Sequence, residues 1–311
     1  MATNFQGGLV APFVTGDLGG LPTHPKARHW YVDGNLGSNS LNHGEDPDHP
    51  FLTMAHALSL TRANPIRSGD VIHAWGNIRE QISTPVGIFD VTIVGPTIRV
   101  RHADAHTSNN GYYALTWKPP ASETATTPLL TVRQQGWTFM NILFDAPSDD
   151  ACIQLLANDG AGDAERDGSH ASFINCKFAN GVNGIEDVGG THHVLVRNCE
   201  FNALTNGIIT LTTAVRVPSY WLIEGCQFVN NTNHVRISSN YGTIRHNAFI
   251  KHTTTSLKTT EVSAQGDYNS IYGNALGGTY SVAGGYTAGS NDEWGGNYNS
   301  LSGGVTAADP A

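Results

Sequence analysis

The densest group of carboxylates in the chain falls between positions 145 and 167: Asp145, Asp149, Asp150, Asp159, Asp163, Glu165 and Asp167. Two chemistries use such a density. A pair of carboxyls at a defined separation is the acid and base of a glycosidase, and several oxygen ligands converging on one point bind Ca²⁺. In DGAGDAERDG the acids are separated by glycines and lack the twelve-position spacing of an EF-hand. Asp163 and Glu165 are therefore the catalytic candidates, and Asp159, Asp163 and Asp167 the Ca²⁺ candidates, with a hydrated loop as the plainer account. Arg197, Glu224 and Arg245 form a second candidate group. An arginine beside carboxylates could take the proton α to a uronate carboxyl while Ca²⁺ neutralises that carboxyl. Alternating charge on neighbouring strands is also what structural pairing produces, and Lys177 with Glu200 fits that pattern too. On balance no catalytic residue is expected, with Arg197, Glu224, Asp163 and Glu165 kept as the candidates if there is one.

Histidines and cysteines add little chemistry. His102 and His106 are four apart and His192 and His193 adjacent, but four-residue spacing binds zinc on a helix, and RHADAH follows a strand-like run. No Gly-x-Ser-x-Gly elbow, phosphate loop or dinucleotide fingerprint occurs. Four cysteines in 311 residues cannot build a disulfide framework and are expected to be reduced. No cofactor is expected, Ca²⁺ being the one open candidate.

The elements that would carry these residues announce themselves as a repeat. The phrases WTFMNILF, ASFINCKF, VLVRNCEF, WLIEGCQF, GTIRHNAF and NSIYGNAL close at Phe144, Phe178, Phe201, Phe228, Phe249 and Leu276, at intervals of 21 to 34 residues. Five positions before each close stand Phe139, Phe173, Val196, Ile223, Ile244 and Ile271, all apolar. Asn141, Asn175, Asn198, Gly225, His246 and Gly273 follow two places later, types that tolerate a bend. Next comes a column of Ile142, Cys176, Cys199, Cys226, Asn247 and Asn274. Strands that alternate in and out, bend and alternate again, in coils of elastic length, describe a parallel β-solenoid whose coils stack about 4.8 Å apart. A second bend is expected at Asn183-Gly184-Ile185, Asn206-Gly207-Ile208 and Asn233-His234-Val235. The Cys column reads as a ladder of small buried side chains.

Ahead of the repeat, Trp30 to Asn35 leads into MAHALSLTRA, a short amphipathic helix expected over about 51–63, and then Gly69-Asp70-Val71-Ile72, Gly76, Glu80 and Ile82. This order resembles the entry of the pectate-lyase-like right-handed parallel β-helix superfamily, in which a capping helix covers the open end of the solenoid. With the coil phrases the resemblance covers about residues 29–276. It implies an all-β, right-handed parallel β-helix with a short N-terminal capping helix. The superfamily includes lyases, hydrolases, virion proteins and adhesins, so it leaves function open.

Outside that span, residues 1–28 read as an extended Gly/Pro-rich arm and 277–311 as a Gly/aromatic-rich tail that packs on the last coil or a neighbouring subunit. A net charge of −9 gives no attraction for nucleic acid, and no apolar run is long enough for membrane insertion. The start MATNFQGGLVAPF lacks the basic and apolar regions of an export signal, whereas β-helix enzymes of the secreted kind are exported. A β-helix with arm and tail but no export signal looks like a bacteriophage virion protein. The expectation is a virion structural component, a capsid surface decoration or a fibre or tail-spike-like part. It would be a homotrimer in contact with other virion proteins and with host surface polysaccharide as a ligand. A tail-spike depolymerase, lyase or glycoside hydrolase, is the alternative.

Overall fold

The structure is a computed structural model. The residues described are 27–40, 43–96, 114–122, 126–147, 149–156, 167–211, 217–250, 255–258, 266–276, 286–287, 289, 291–299 and 305–306. Their strands stack in parallel, coil on coil, into three faces. The first face runs from His29–Asp33 through Ser172–Ile174 and Leu222–Glu224 to Glu293–Gly295. The second includes Leu143–Asp145, Lys177–Ala179, Glu200–Asn202, Gln227–Val229 and Ala248–Ile250. The third holds eight strands, among them Ala151–Leu155, Asn183–Asp187, Asn206–Thr210 and Asn233–Arg236. Crossovers between parallel strands take the right-handed course, and the chain is an all-β, right-handed parallel β-helix.

Alternation explains the core. Phe139, Phe173, Val196, Ile223, Ile244 and Ile271 point inward from the first face. From the second face Phe144, Phe178, Phe201, Phe228 and Phe249 form one stack, with ring centroids 5.4, 4.7, 4.7 and 5.0 Å apart. All five are fully buried. Ile153, Ile185, Ile208 and Val235 close the core from the third face.

Between the first and second faces the chain turns at one residue per coil. Asn141, Asn175, Asn198, Gly225, His246 and Gly273 all have φ between 53° and 65°, the left-handed region that Asn and Gly enter at least cost. The second bend lies elsewhere than expected. Asn183, Asn206 and Asn233 begin strands of the third face; the turn comes three residues earlier, at Asn180, Ala203 and Asn230 (φ 66°, 57° and 56°). Gly184 and Gly207 are small because space is short. A Cβ on Gly207 would lie 2.4 Å from the His234 carbonyl oxygen and 3.0 Å from the Phe228 ring.

The column after the first corner changes chemistry along the axis. Cys176, Cys199 and Cys226 are buried and unbridged, and their thiols donate to Phe139, Phe173 and Val196 carbonyls at 3.4–3.5 Å. Asn247 and Asn274 continue the column and pass into an amide ladder. Asn247 Nδ2 donates to Asn274 Oδ1 (3.1 Å) and Asn274 Nδ2 to Asn297 Oδ1 (2.9 Å).

The N-terminal coil is held by two carboxylates. Asp70 accepts from Trp30 Nε1 (2.8 Å), Arg67 N (2.9 Å) and Arg28 Nη2 (2.7 Å). Glu80 accepts from the backbone N–H groups of Met54 and Ala55, both at 2.7 Å, which satisfies the start of the helix. That helix is one turn, Met54–Ala57, capped by Thr53, and not the 51–63 expected. Ser59 and Thr61 bond each other (2.9 Å) directly after it, competing with helix propagation as hydroxyl side chains do. At the other end, coils continue past 276: Trp294 pairs with Ile271, and Asn297–Asn299 extends the second face. Residues 1–26 of the expected arm lie outside the described residues.

Candidate functional site

Of the acidic candidates, Asp159, Asp163 and Glu165 lie outside the described residues. Asp167 is described and is a tether: Ser169 N donates to Oδ1 (2.9 Å) and Gln135 Nε2 to Oδ2 (2.5 Å). Burial works to raise its carboxyl, but the Ser169 and Gln135 hydrogen bonds hold it below the ordinary value. Asp145 is engaged with Lys118 Nζ (3.1 Å) and accepts from Asn180 Nδ2 (2.7 Å). Asp150 is buried and accepts from Gln81 Nε2 (3.0 Å).

Arg197 and Glu224 sit together on the outer side of the first face, at the ends of Leu195–Arg197 and Leu222–Glu224. Arg197 Nε lies 3.5 Å from Glu224 Oε1, while Arg245 Nε donates to Oε2 (2.9 Å) and Arg245 Nη1 to Tyr272 OH (2.8 Å). One carboxylate between two guanidiniums on successive coils is a charge-balanced ladder. The Tyr272 hydroxyl and Glu224 raise Arg245 further above its already high value, so it stays charged and is unsuited to proton abstraction. Lys177 pairs with Glu200 (2.9 Å), and its side chain is buried. Glu186 on the third face is held by two amides, Gln154 Nε2 (3.0 Å) and Asn183 Nδ2 (2.6 Å).

The cysteines are shielded from nucleophilic chemistry by burial. Burial pushes the Cys199 thiol well up and that of Cys152 to about 12. Among the described residues, no three His, Cys, Asp or Glu side chains converge as metal ligands. His102 and His106 lie outside the described residues, and the His192–His193 pair is divided, since the His193 ring belongs to a different array.

That array is the feature the sequence reading missed. At the third corner, two residues before each first-face strand, stand His170, His193, Tyr220, Tyr241 and Tyr268. Their rings stack along the axis at 4.8, 4.8, 5.5 and 5.3 Å, with interplanar angles of 16°, 6°, 18° and 11°. All five residues have φ of 56–59°, and the N–H groups of the first four bond to the next coil; His170 N donates to His192 O (2.8 Å) and Tyr220 N to Asn240 O (2.8 Å). The three tyrosines are 50–53% exposed. In the earlier coils Gly69, Asp90 and Gly136 hold the same corner with positive φ. The legible signal was a polar residue followed by an aromatic one, two residues ahead of the strand: Ser169-His170, His192-His193, Ser219-Tyr220, Asn240-Tyr241 and Asp267-Tyr268.

No known family profile matches the sequence, and no curated protein matches it. Solved structures do. A pectin methylesterase from Aspergillus niger superposes with a TM-score of 0.52 at 14% identity, over 92% of this chain and 93% of its own. The pectate lyase Pel9A superposes with a TM-score of 0.51 at 12% identity, over 93% of this chain and 83% of its own. At such identities the likeness is one of architecture. The chain therefore has the fold of the pectate-lyase-like, right-handed parallel β-helix proteins.

Proposed function

We propose that the protein is a bacteriophage virion component, a surface decoration or fibre-like part, that holds host surface polysaccharide without cleaving it. The observation that carries the non-cleaving part is the pairing of the charged side chains: Glu224 lies between Arg197 and Arg245, Glu200 holds Lys177, and Glu186 is bound by two amides. Acid-base chemistry on a sugar needs groups positioned toward the reacting bond, and these point at one another. Two proteins of the same fold are a pectin methylesterase and a pectate lyase by name, which supports a polysaccharide as the ligand. A rod of stacked coils presents outward groups at one fixed rise per coil, suited to display on a particle. We place it there as a homotrimer beside other virion proteins.

The test is incubation with purified surface polysaccharide of the host, with and without Ca²⁺. Retention of the protein on the immobilised polymer is expected, with no new reducing ends and no unsaturated-uronate absorbance. Products that vanish in Asp163→Ala or Glu165→Ala would replace the proposal with a depolymerase. Immunogold labelling of purified particles tests the virion placement; unlabelled particles would refute it.

A further inference from the structure

The third corner carries a row whose cost and exposure differ from those of the other corners. At the first corner the left-handed residue is Asn, Gly or His. At the third, three consecutive coils place tyrosine there, a bulky residue for which positive φ is a rare and strained choice. Stacking offsets part of that strain. It does not account for half of each tyrosine facing water. Ring stacking along the axis also decides what a partner would meet. The faces of His193, Tyr220 and Tyr241 are covered by their neighbours in the row, so the row offers ring edges and their polar atoms, one set per coil. An array of hydroxyl and imidazole edges suits a hydrogen-bonding ligand better than a greasy one.

We infer that this row is a binding strip for a neutral, linear polysaccharide, lying along the rod and read through the tyrosine hydroxyls, about one sugar for each coil. The inference rests on the glycan-holding function proposed above and locates it. Ring spacings of 4.8–5.5 Å are close to the length of one pyranose residue in an extended chain, so a polymer could stay in register over several coils, each contact raising the effective concentration for the next. Charge selects against an acidic polymer. Asp267 directly precedes Tyr268 in the chain, and Asp167 lies three residues before His170. The Asn291 side-chain amide bonded to Asp267 holds that carboxyl below its ordinary value, so it is charged at neutral pH and repels uronates.

The experiment compares the full chain with the triple variant Tyr220→Phe/Tyr241→Phe/Tyr268→Phe, which keeps the stack and removes the hydroxyls. The triple variant with Asn at the same positions keeps a residue suited to the backbone and removes the rings. Probes are cellohexaose, mannohexaose and laminarihexaose as neutral chains and hexagalacturonate as the acidic one, titrated by calorimetry. At least one neutral hexamer is expected to bind wild type. The Phe variant should bind it at least roughly tenfold more weakly while its melting temperature holds, and the Asn variant should not bind. Unchanged affinity in both variants would overturn the strip and leave glycan binding in place at another site. Binding of hexagalacturonate alone would overturn the neutral class. Absence of binding by any probe would overturn both the strip and the glycan function. A change in sedimentation coefficient in either variant would make the row a subunit contact and overturn the inference.

Discussion

Asp187 offers the sharpest test of the interior. It ends the third-face strand Asn183–Asp187, is fully buried, and uses Oδ1 to accept from Gly190 N (3.2 Å) and Thr191 N (3.1 Å), fixing the turn that follows. Oδ2 is buried without a hydrogen-bond partner. Desolvation outweighs the hydrogen bonds that Thr191 and Gly190 supply and pushes the carboxyl from its ordinary 3.8 up to about 7. The sign follows from proton binding. Between those two values the unfolded chain has lost this proton and the native state keeps it, so stability is greatest below the lower value. It declines as pH rises and is fully reduced above about 7. At about 1.4 kcal/mol for each pH unit, the decline totals roughly 4 kcal/mol. Asp187→Asn retains an acceptor for both N–H groups and has no charge to bury. The variant should match wild type near pH 4 within about 1 kcal/mol and exceed it by roughly 4 kcal/mol at pH 8. Urea unfolding of both proteins at half-unit steps from pH 4 to 8 measures this, and all other titrating groups cancel in the difference. Parallel curves across that range would mean that Asp187 ionises as readily in the fold as in the unfolded chain, and the burial argument would fail.

Phe201→Ala removes a fully buried ring that stacks at 4.7 Å on both Phe178 and Phe228; a loss of roughly 3–5 kcal/mol is expected in urea unfolding, and a loss below about 1 kcal/mol would contradict the stack. Asn274→Leu should cost at least about 2 kcal/mol by the same assay, because Asn247 N–H, Ile244 O and Asn297 Oδ1 all lose a buried partner. Glu224→Gln, by contrast, should change stability by less than about 1 kcal/mol, since its pairs are partly open to water; thermal melts at low and high salt would reveal a larger, salt-sensitive share if the ladder matters more.

The coil was legible because its most constrained positions are also its most distinctive. The second-face Phe column and the Asn/Gly corner each repeat one side-chain demand, the column after that corner passes from Cys to Asn, and all three fall where the spacing placed them. Asn183-Gly184 and its counterparts were misplaced because Asn-Gly usually signals a turn. Here Asn183, Asn206 and Asn233 bond one another across coils (2.7 and 2.8 Å), and the glycine makes room for a neighbouring carbonyl and ring. The helix shortened because Ser59 and Thr61 defeat an apolar periodicity that reads as longer. The aromatic row escaped notice for the opposite reason: tyrosine is the wrong residue type for a left-handed corner, so its repeated polar-aromatic pair does not read as a bend.

Stacking in parallel coils gives the molecule a direction-dependent mechanical response. The backbone bonds joining one coil to the next point along the rod, as in Leu195 N to Ala171 O and Leu222 N to Val194 O. A pull applied at the two ends along the axis loads successive coils in series, so the terminal coil peels first, at the force that opens its own few bonds. A sideways load on the same rod is shared by many coils acting together. The protein should therefore resist bending and shear far better than lengthwise traction, and any strong attachment should grip it along its flank.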